Sequence, residues 1–378
     1  MKTALIHDRL NVYAGSEKVL GHLHDLFPDS TVYTSISEPS RFPSSWKNWD
    51  IRTTGLQRLP LVKKHHQLLL PLLVFAFEQL ELSDYDLVIS SSHCAAKAVI
   101  TDPGTFHLCY CHTPLRFAWT PNPAQMLSGK CKSRGNFLLN LMMHWIRLWD
   151  YASAARVDHF VANSKHVRAR IKKHYRRDAS VVYPGVDTQR FSVSDEIDDY
   201  YLLLSRLTPY KRTDLAVEAF NRLNRRLIVI GSGSHEKTLR KMAGPNVEIR
   251  GSATDAEVTR ALSRCKALIF PGEEDFGIVP VEAQASGRPV IAYGRGGATE
   301  TVIDGETGVL FPEQTADSLC DAVLSMDSMN LDPSDARRNA ERFSIQAFRD
   351  SFISTLNQVL PKEPEPSAGR SKEPAAYV

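Results

Sequence analysis

The sequence predicts an α/β protein made of two facing doubly wound units, each with a parallel sheet, and a cleft between them. Three observations carry this expectation. Short apolar runs alternate with segments of helical period along the chain, the pattern of strands joined by crossover helices. A strand, loop and helix open the chain at residues 1–27 and a second such series begins at Leu202 with no close internal repeat, so the architecture recurs without the sequence. The 378 residues, 43% hydrophobic and 24% charged, supply two cores of ordinary soluble composition. Each unit therefore reads as Rossmann-like. The expected boundaries are 1–187 for the first unit, 188–343 for the second, 344–360 for a final helix and 361–378 for a tail of disordered composition.

Residues 1–6 read as an apolar strand ended by His7 and Asp8, after which Val19, Leu20, Leu23 and Leu26 fall at helical spacing. Between them, Gly15 and Ser16 form a small-residue turn where backbone can approach a phosphate or sugar closely, although a G-S-E string also serves as a plain helix start. Residues 31–34 form the next strand. In residues 56–81, Lys63, Lys64, His65 and His66 precede an apolar run, which suits an interfacial anchor or, equally, a helix packed on the sheet. The run spans residues 68–77 and contains Pro71, about half the length that crosses a bilayer, so it is not a transmembrane helix.

Asp84, Tyr85 and Asp86 precede the strand at 87–91 and read as a turn. The strand at 106–111 delivers His112, Thr113 and Arg116 to the rim where open α/β sheets bind ligands. Residues 120–135 are polar and rich in Pro, Gly and Lys, a loop suited to an acceptor; the apolar helix at 137–155 is expected to turn its Met and Trp into the core. A strand at 160–164 ends in an Asn-Ser cap before a basic helix at 165–175, and residues 181–187 close the unit.

In the second unit the strand at 202–206 exits into L-T-P-Y-K-R, where Arg206 and Lys211 could together grip a diphosphate. A helix at 213–224, a strand at 227–230 and a loop through Gly231 follow, then strands at 246–250 and 267–270 around a helix at 255–263. The stretch 268–305 organises the rest: a short strand, the acidic loop 271–275, a helix opened by Gly277 and a strand at 290–292. The open N–H groups and positive end of that helix suit an anion. Glu274 and Glu282 are eight residues apart, roughly 12 Å if helical, too far to flank one glycosidic bond as in hydrolases, where about 5–9.5 Å is usual. They read as two grips on one long ligand such as a nucleotide sugar, or as solvated surface carboxylates.

The string E-D-F-G-x-x-P-x-E-A-x-A-x-G-x-P-V-I, followed by G-G-A-x-E and D-G-x-T-G, resembles the donor-site signature of retaining glycosyltransferases of family 4, which have the GT-B fold. S-R-L-x-x-x-K at Arg206 and Lys211 is similar to another block of that family, and C-H-T-P-x-R-x-A-W at His112 to a block of bacterial members that elongate polysaccharides. Pro184 departs from the N-G-V-D usual at the end of the first unit. The resemblance implies an acceptor-binding first unit, a donor-binding second unit and a final helix that crosses back to brace the first. It places His112, Glu274, Arg206 and Lys211 at the reacting centre, and Gly15, Gly231, Phe276, Gly277, Ile278, Val279 and Glu282 with them around the donor. Ser16, Thr113 and Arg116 face the acceptor. His112 would hydrogen-bond the donor sugar and steady developing charge.

The implied reaction retains anomeric configuration, uses no protein nucleophile, metal or cofactor, and takes the nucleotide sugar as co-substrate. The resemblance points to α-mannosyl transfer from GDP-mannose to a lipid-linked glycan in bacterial surface polysaccharide synthesis. Alternatives are a UDP-sugar donor and a catalytically idle nucleotide-sugar-binding subunit. A dinucleotide-dependent oxidoreductase is disfavoured, because no G-x-G-x-x-G joins the first strand to its helix.

The net charge of +3 conceals an asymmetry. Residues 1–180 carry 23 Lys and Arg against 14 Asp and Glu, leaving 23 against 29 for the remainder. A first half at +9 facing a second at −6 fits contact of the first with an anionic membrane or a lipid-linked diphosphate, and nothing in the pattern points to nucleic acid. Six Cys without a CxxC pair or secretion signal point to the cytoplasm, at the inner face of its membrane, and form no zinc pattern.

Overall fold

A computed structural model describes residues 1–58, 70–120 and 137–361. Among them lie two sheets, all of whose pairings are parallel. The first holds β1 (Thr3–His7), β2 (Thr31–Thr34), β3 (Ile51–Thr53), β4 (Leu87–Ser92), β5 (Phe106–Cys111), β6 (His159–Ala162) and β7 (Ala179–Val181), in the order 3-2-1-4-5-6-7. The second holds β8 (Tyr201–Leu204), β9 (Leu227–Ile230), β10 (Val247–Gly251), β11 (Leu268–Phe270), β12 (Val290–Tyr293) and β13 (Gly308–Phe311), in the order 10-9-8-11-12-13. Both orders reverse direction once, between β1 and β4 and between β8 and β11. Such a reversal leaves a crevice at the carboxyl ends of the two central strands.

The helices of the first unit are α1 (Gly15–Leu26), α2 (Leu70–Glu78), α3 (Phe137–Ser153) and α4 (Lys165–Tyr175). The second unit has α5 (Thr213–Leu223), α6 (Glu236–Met242), α7 (Asp255–Arg264), α8 (Ile278–Ala285), α9 (Ala298–Thr301), α10 (Ala316–Asp327) and α11 (Pro333–Glu341), and α12 (Ile345–Val359) follows. The strand period of two divides the second sheet cleanly. Leu203, Val229, Ile269 and Ile291 pack with Leu215, Phe220 and Leu319 on one face, while Leu202, Ile228, Leu268 and Val290 meet Leu262 and Val281 on the other.

The last helix belongs to the first core. Phe348, Phe352 and Leu356 of α12 bury against Leu5, Leu20, Leu23, Leu108 and Tyr110, and each such side chain contributes about 2 kcal/mol of burial free energy. The chain thus crosses between the units twice, side by side. Val186 donates its N–H to the carbonyl of Phe343 at 2.8 Å, beside a parallel bridge between Val186 and Ser344.

The expectation for 137–155 needs a correction. Met143 and Ile146 of α3 are buried and Trp149 is partly so, but Leu141, Met142, Trp145 and Leu148 face outward, Trp145 being 64% exposed. On α2, Phe77 is buried while Leu72 and Phe75 are exposed. No described helix is long and apolar enough to cross a membrane. The basic run at 63–66, the expected acceptor loop up to residue 135 and the tail after residue 361 lie outside the described residues, Thr120 excepted.

Candidate functional site

The rim of the second sheet is built at its reversal. The exit of β8 carries Arg206, which is exposed, and Lys211; the exit of β11 carries Pro271 to Gly277. Lys211 Nζ forms an ion pair with Glu274, both side chains being less than a fifth exposed. Gly277 caps α8 with φ +91°, a left-handed backbone that glycine adopts without strain, and no side chain caps the helix start. Its first N–H groups therefore face the same loop as the Lys211 ammonium. Gly231 lies at the neighbouring exit of β9 with φ +146°, so close to β8 that a Cβ there would stand 1.8 Å from the carbonyl oxygen of Ser205. Phe276 is buried, whereas Ile278 and Val279 are partly buried against the same cluster.

The rim of the first sheet is polar and histidine-rich. Parallel register places His7 of β1 beside Ser91 of β4. Ser91 Oγ lies 3.1 Å from His7 Nδ1 and 2.8 Å from His112 Nε2. His7 Nε2 in turn lies 3.4 Å from Glu17 Oε1, and Glu17 Oε2 accepts the N–H of Ala14 at 3.0 Å. Four side chains from three strand exits and α1 thus form one line ending at His112. Burial drives the His112 pKa down to about 3, reinforced by nearby His93 and His7, so its imidazole is neutral. Glu17 is held at about 2: burial alone would raise it, but its hydrogen bond to His7 and the positive charge that His7 and His93 carry when protonated outweigh that.

Asp8, next in the chain, has a different task. Its carboxylate accepts the N–H groups of His93, Cys94, Ala95 and Ala96 at 2.6–2.9 Å and so shapes the loop after β4. The His93 ring nitrogen lies 3.1 Å from the same carboxylate without hydrogen-bond alignment, and burial lowers the pKa of that ring. Asp84 and Asp86, read as a turn, bond Lys2.

The two rims meet along a seam. Asp275 receives Thr113 Oγ1 at 3.3 Å, Arg116 at 3.2 Å and Arg170 at 3.1 Å, and its carbonyl accepts Ser164 Oγ at 2.6 Å. Lys18 of α1 reaches Glu282 of α8 at 3.2 Å, and Gly15 sits so close to Ile278 that a Cβ would stand 2.8 Å from its Cδ1. Glu300 accepts the N–H groups of Lys165 and His166, at 2.8 and 2.9 Å, and the Tyr183 hydroxyl at 3.0 Å. A carboxylate from the second unit thereby covers the positive end of α4 in the first. An open pocket of about 750 Å³ follows the seam among His166, Tyr183, Glu273, Arg295, Glu300 and Arg342, away from His112 and Lys211.

Lys211 and Glu274 are thus joined directly, Gly15 touches the helix start at Ile278, and Glu282 is paired across the seam. Arg206 has no side-chain partner among the described residues. Ser16 is partly buried beside Gly15 at the start of α1. Thr113 and Arg116 bind Asp275 in this closed arrangement, and the described residues include no group of three or more His, Cys, Asp or Glu placed to hold a metal. Sequence reasoning passed over Asp275, Lys18, Glu300 and Ser91. The G-S-E-K string and the serine run at the end of β4 were visible, but Lys18 meets Glu282 across 264 positions and Ser91 meets His7 across 84.

Two family models match in succession: one described as Glycosyltransferase Family 4 over residues 17–190, and one described as Glycosyl transferases group 1 over residues 187–343. The chain belongs to the family 4 glycosyltransferases. Among relatives, the GDP-mannose-dependent alpha-(1-6)-phosphatidylinositol monomannoside mannosyltransferase of Mycobacterium tuberculosis is 32% identical over 195 residues, covering 43% of this chain and 51% of that protein. An uncharacterized glycosyltransferase of Methanocaldococcus jannaschii is 27% identical over 174 residues, covering 45% of this chain and 49% of that protein. The chain spans about half the length of these two relatives. The alpha-1,3/1,6-mannosyltransferase ALG2 of Saccharomyces cerevisiae is 24% identical over 356 residues, covering 75% and 68%.

Among solved structures, Anabaena HepE in complex with UDP and glucose matches this family 4 glycosyltransferase with a TM-score of 0.70 at 17% identity, over 94% of this chain and all of that one. The lipopolysaccharide outer core galactosyltransferase WaaB matches with a TM-score of 0.62 at 17% identity over the same shares. This likeness shows the fold, GT-B, with two parallel-sheet α/β domains.

Proposed function

We propose that the protein is a retaining α-mannosyltransferase that moves mannose from GDP-mannose to a lipid-linked glycan, in the assembly of a bacterial surface polysaccharide. The observation that carries the reading is the Lys211–Glu274 pair set beside the uncapped start of α8, on the rim of the β8–β11 crevice. A cation and several backbone N–H groups facing one loop suit a diphosphate, and they stabilise the charge it gains as the sugar leaves. In this reading Glu274 holds sugar hydroxyls once the donor separates it from Lys211, Glu282 takes the ribose diol after releasing Lys18, and the acceptor hydroxyl attacks the anomeric carbon on the face the diphosphate leaves, passing its proton to the departing diphosphate oxygen. No metal is required, because Arg206 and Lys211 supply the positive charge. Similarity to the mycobacterial GDP-mannose-dependent enzyme, at 32% over 195 residues, favours the donor.

Incubation with labelled GDP-mannose and, separately, UDP-glucose tests it: sugar transfer or slow donor hydrolysis is expected from GDP-mannose and is expected to survive EDTA. Absence of both binding and turnover with GDP-mannose removes this donor. A UDP-sugar donor is the second reading, favoured by the 0.70 match to a fold-mate seen with UDP.

The exposed apolar side chains Leu72 and Phe75 of α2 and Leu141, Met142, Trp145 and Leu148 of α3 support a peripheral seat on the inner face of the cytoplasmic membrane. In the sequence both helices follow basic stretches, Lys63 and Lys64 before one, Lys130, Lys132 and Arg134 before the other. Apolar faces flanked by cations bind anionic bilayers. Co-flotation with vesicles containing anionic lipid, lost in Trp145→Glu, is the expected result.

A further inference from the structure

The line from Glu17 to His112 has a polarity that its chemistry dictates. A carboxylate only accepts hydrogen bonds. His7 Nε2, 3.4 Å from Glu17 Oε1, therefore carries a proton, and in neutral His7 the opposite nitrogen, Nδ1, is an acceptor. The Ser91 hydroxyl, 3.1 Å away, donates to that nitrogen and keeps a lone pair for its other neighbour. That neighbour is His112 Nε2 at 2.8 Å, which must then be the N–H of its ring. His112 Nδ1 has no hydrogen-bond partner among the described residues and is not a sealed buried atom. The reverse order, with the Ser91 proton on His112, requires an imidazolium at His7. Titratable groups close to the line include Asp8, His93 and Tyr110; His93 stands 6.2 Å from the His7 ring and 6.4 Å from the His112 ring, and Tyr110 stands 5.3 Å from the His112 ring.

We propose that Glu17 and His7, acting through the Ser91 hydroxyl, are positioning residues that hold His112 as its Nε2–H tautomer and leave Nδ1 as a hydrogen-bond acceptor at the rim. Neither residue needs to touch a ligand. Their consequence for catalysis rests on the reading that His112 meets the donor sugar: a lone pair fixed in place accepts from a sugar hydroxyl without reorganising, whereas a ring free to switch tautomers presents an N–H part of the time.

The sharpest variant is Glu17→Gln. The N–H of Ala14 needs an oxygen acceptor, so the introduced amide turns its oxygen to that N–H and its NH₂ to His7. His7 Nε2 must then accept, its Nδ1 must donate, the Ser91 hydroxyl reverses, and His112 ends with its proton on Nδ1. ¹⁵N-histidine NMR of the full chain at pH 8, with His112 assigned by loss of its signals in His112→Gln, reads this directly. The wild type is expected as the Nε2–H form, Ser91→Ala as a mixture, and Glu17→Gln as the Nδ1–H form, with signals of the distant His235 and His144 unmoved as a check on folding. A wild-type His112 protonated on Nδ1, or a Glu17→Gln protein that keeps the wild-type tautomer, overturns the proposal. In turnover, Glu17→Gln is expected to lower kcat about tenfold with little change in donor KM. The tautomer readout stands even if the donor assignment fails, so the two failures are distinguishable.

Discussion

The two sheets share a strand order and differ in what they bury. Strands β8, β9, β11 and β12 are almost wholly aliphatic or aromatic inside. The first sheet buries His7, Ser90, Ser91, Ser92, His107 and Thr34 along the same kind of strand, and beneath them the ion pair of Lys97 and Asp150 at 2.5 Å. Asp150 also accepts from the Trp119 indole and the Tyr175 hydroxyl. One topology thus carries function in two ways. The second unit keeps an apolar core and hangs cations, carboxylates and glycines on its exit loops, which in the proposed function grip a flexible diphosphate. The first unit runs polar groups up the strands themselves, so that His112 is fixed from beneath by Ser91, His7 and Glu17. Precise placement there costs stability in acid, and experiments on each unit can test whether that division is real.

The largest effect is expected at Lys97. Lys97→Met keeps the volume but leaves Asp150 charged, buried and unpaired, a loss of about 3–5 kcal/mol. Phe220→Ala in the second core is expected to cost a similar ~3–5 kcal/mol through its cavity alone. Denaturant unfolding at neutral pH measures both. Restoration by pairing Lys97→Met with Asp150→Asn would assign the first loss to charge, and an unrestored double variant would assign it to packing.

Next comes Lys211→Ala, which removes the cation at the second rim. Turnover is expected to fall about 10²- to 10³-fold, the usual effect of losing one such stabilising group, with the thermal midpoint nearly unchanged because the pair lies on a loop. A variant that keeps its rate moves the donor elsewhere.

Acid separates the units. Burial depresses the pKa of His107 from 6.5 to about 4 and that of His112 to about 3, so the folded chain binds fewer protons than the unfolded one in this range. Their contribution is complete above pH 6.5 and declines as the pH falls toward 4; His107 alone accounts for about 3 kcal/mol. Asp8, held at about 2 although burial alone would raise it, adds stability above its ordinary 3.8 that is lost only below that. All five Trp lie in the first unit, so Trp fluorescence follows it selectively. Its transition at about pH 5 is expected ahead of loss of the second unit's structure; coincident transitions would mean the units unfold as one.

The smallest effect is expected at the seam. Glu300→Gln removes the charge that covers the start of α4 and should cost roughly 0.3–1 kcal/mol, read as a small drop in Tm. A larger drop would show that the seam, rather than either core, limits stability.

Much of this was legible in the residues. The strand–loop–helix rhythm gave the two parallel sheets, E-D-F-G-x-x-P-x-E brought Glu274 and Gly277 to notice, and S-R-L-x-x-x-K brought Arg206 and Lys211. Local pattern reports what is local: the strand period, the loop glycines, the cation five residues beyond an exit. Between Gly305 and the final helix no element was expected, so β13, α10 and α11, which complete the second sheet and its faces, went unassigned. It misjudged α3 because an apolar helix with Trp and Met looks the same whether one face or two are covered; only the neighbours reveal that Trp145 is bare.

What the sequence determined by itself was architecture and candidate chemistry, since both depend on side-chain period and residue type within a few turns of chain. What only the folded molecule decided was partnership. Parallel register laid His7 beside Ser91, the closure of two units set Asp275 among Thr113, Arg116 and Arg170, and Lys18 found Glu282 across 264 positions. A hydrogen bond or ion pair needs two groups within about 3 Å, and separation along the chain says nothing about which distant pairs folding will bring that close.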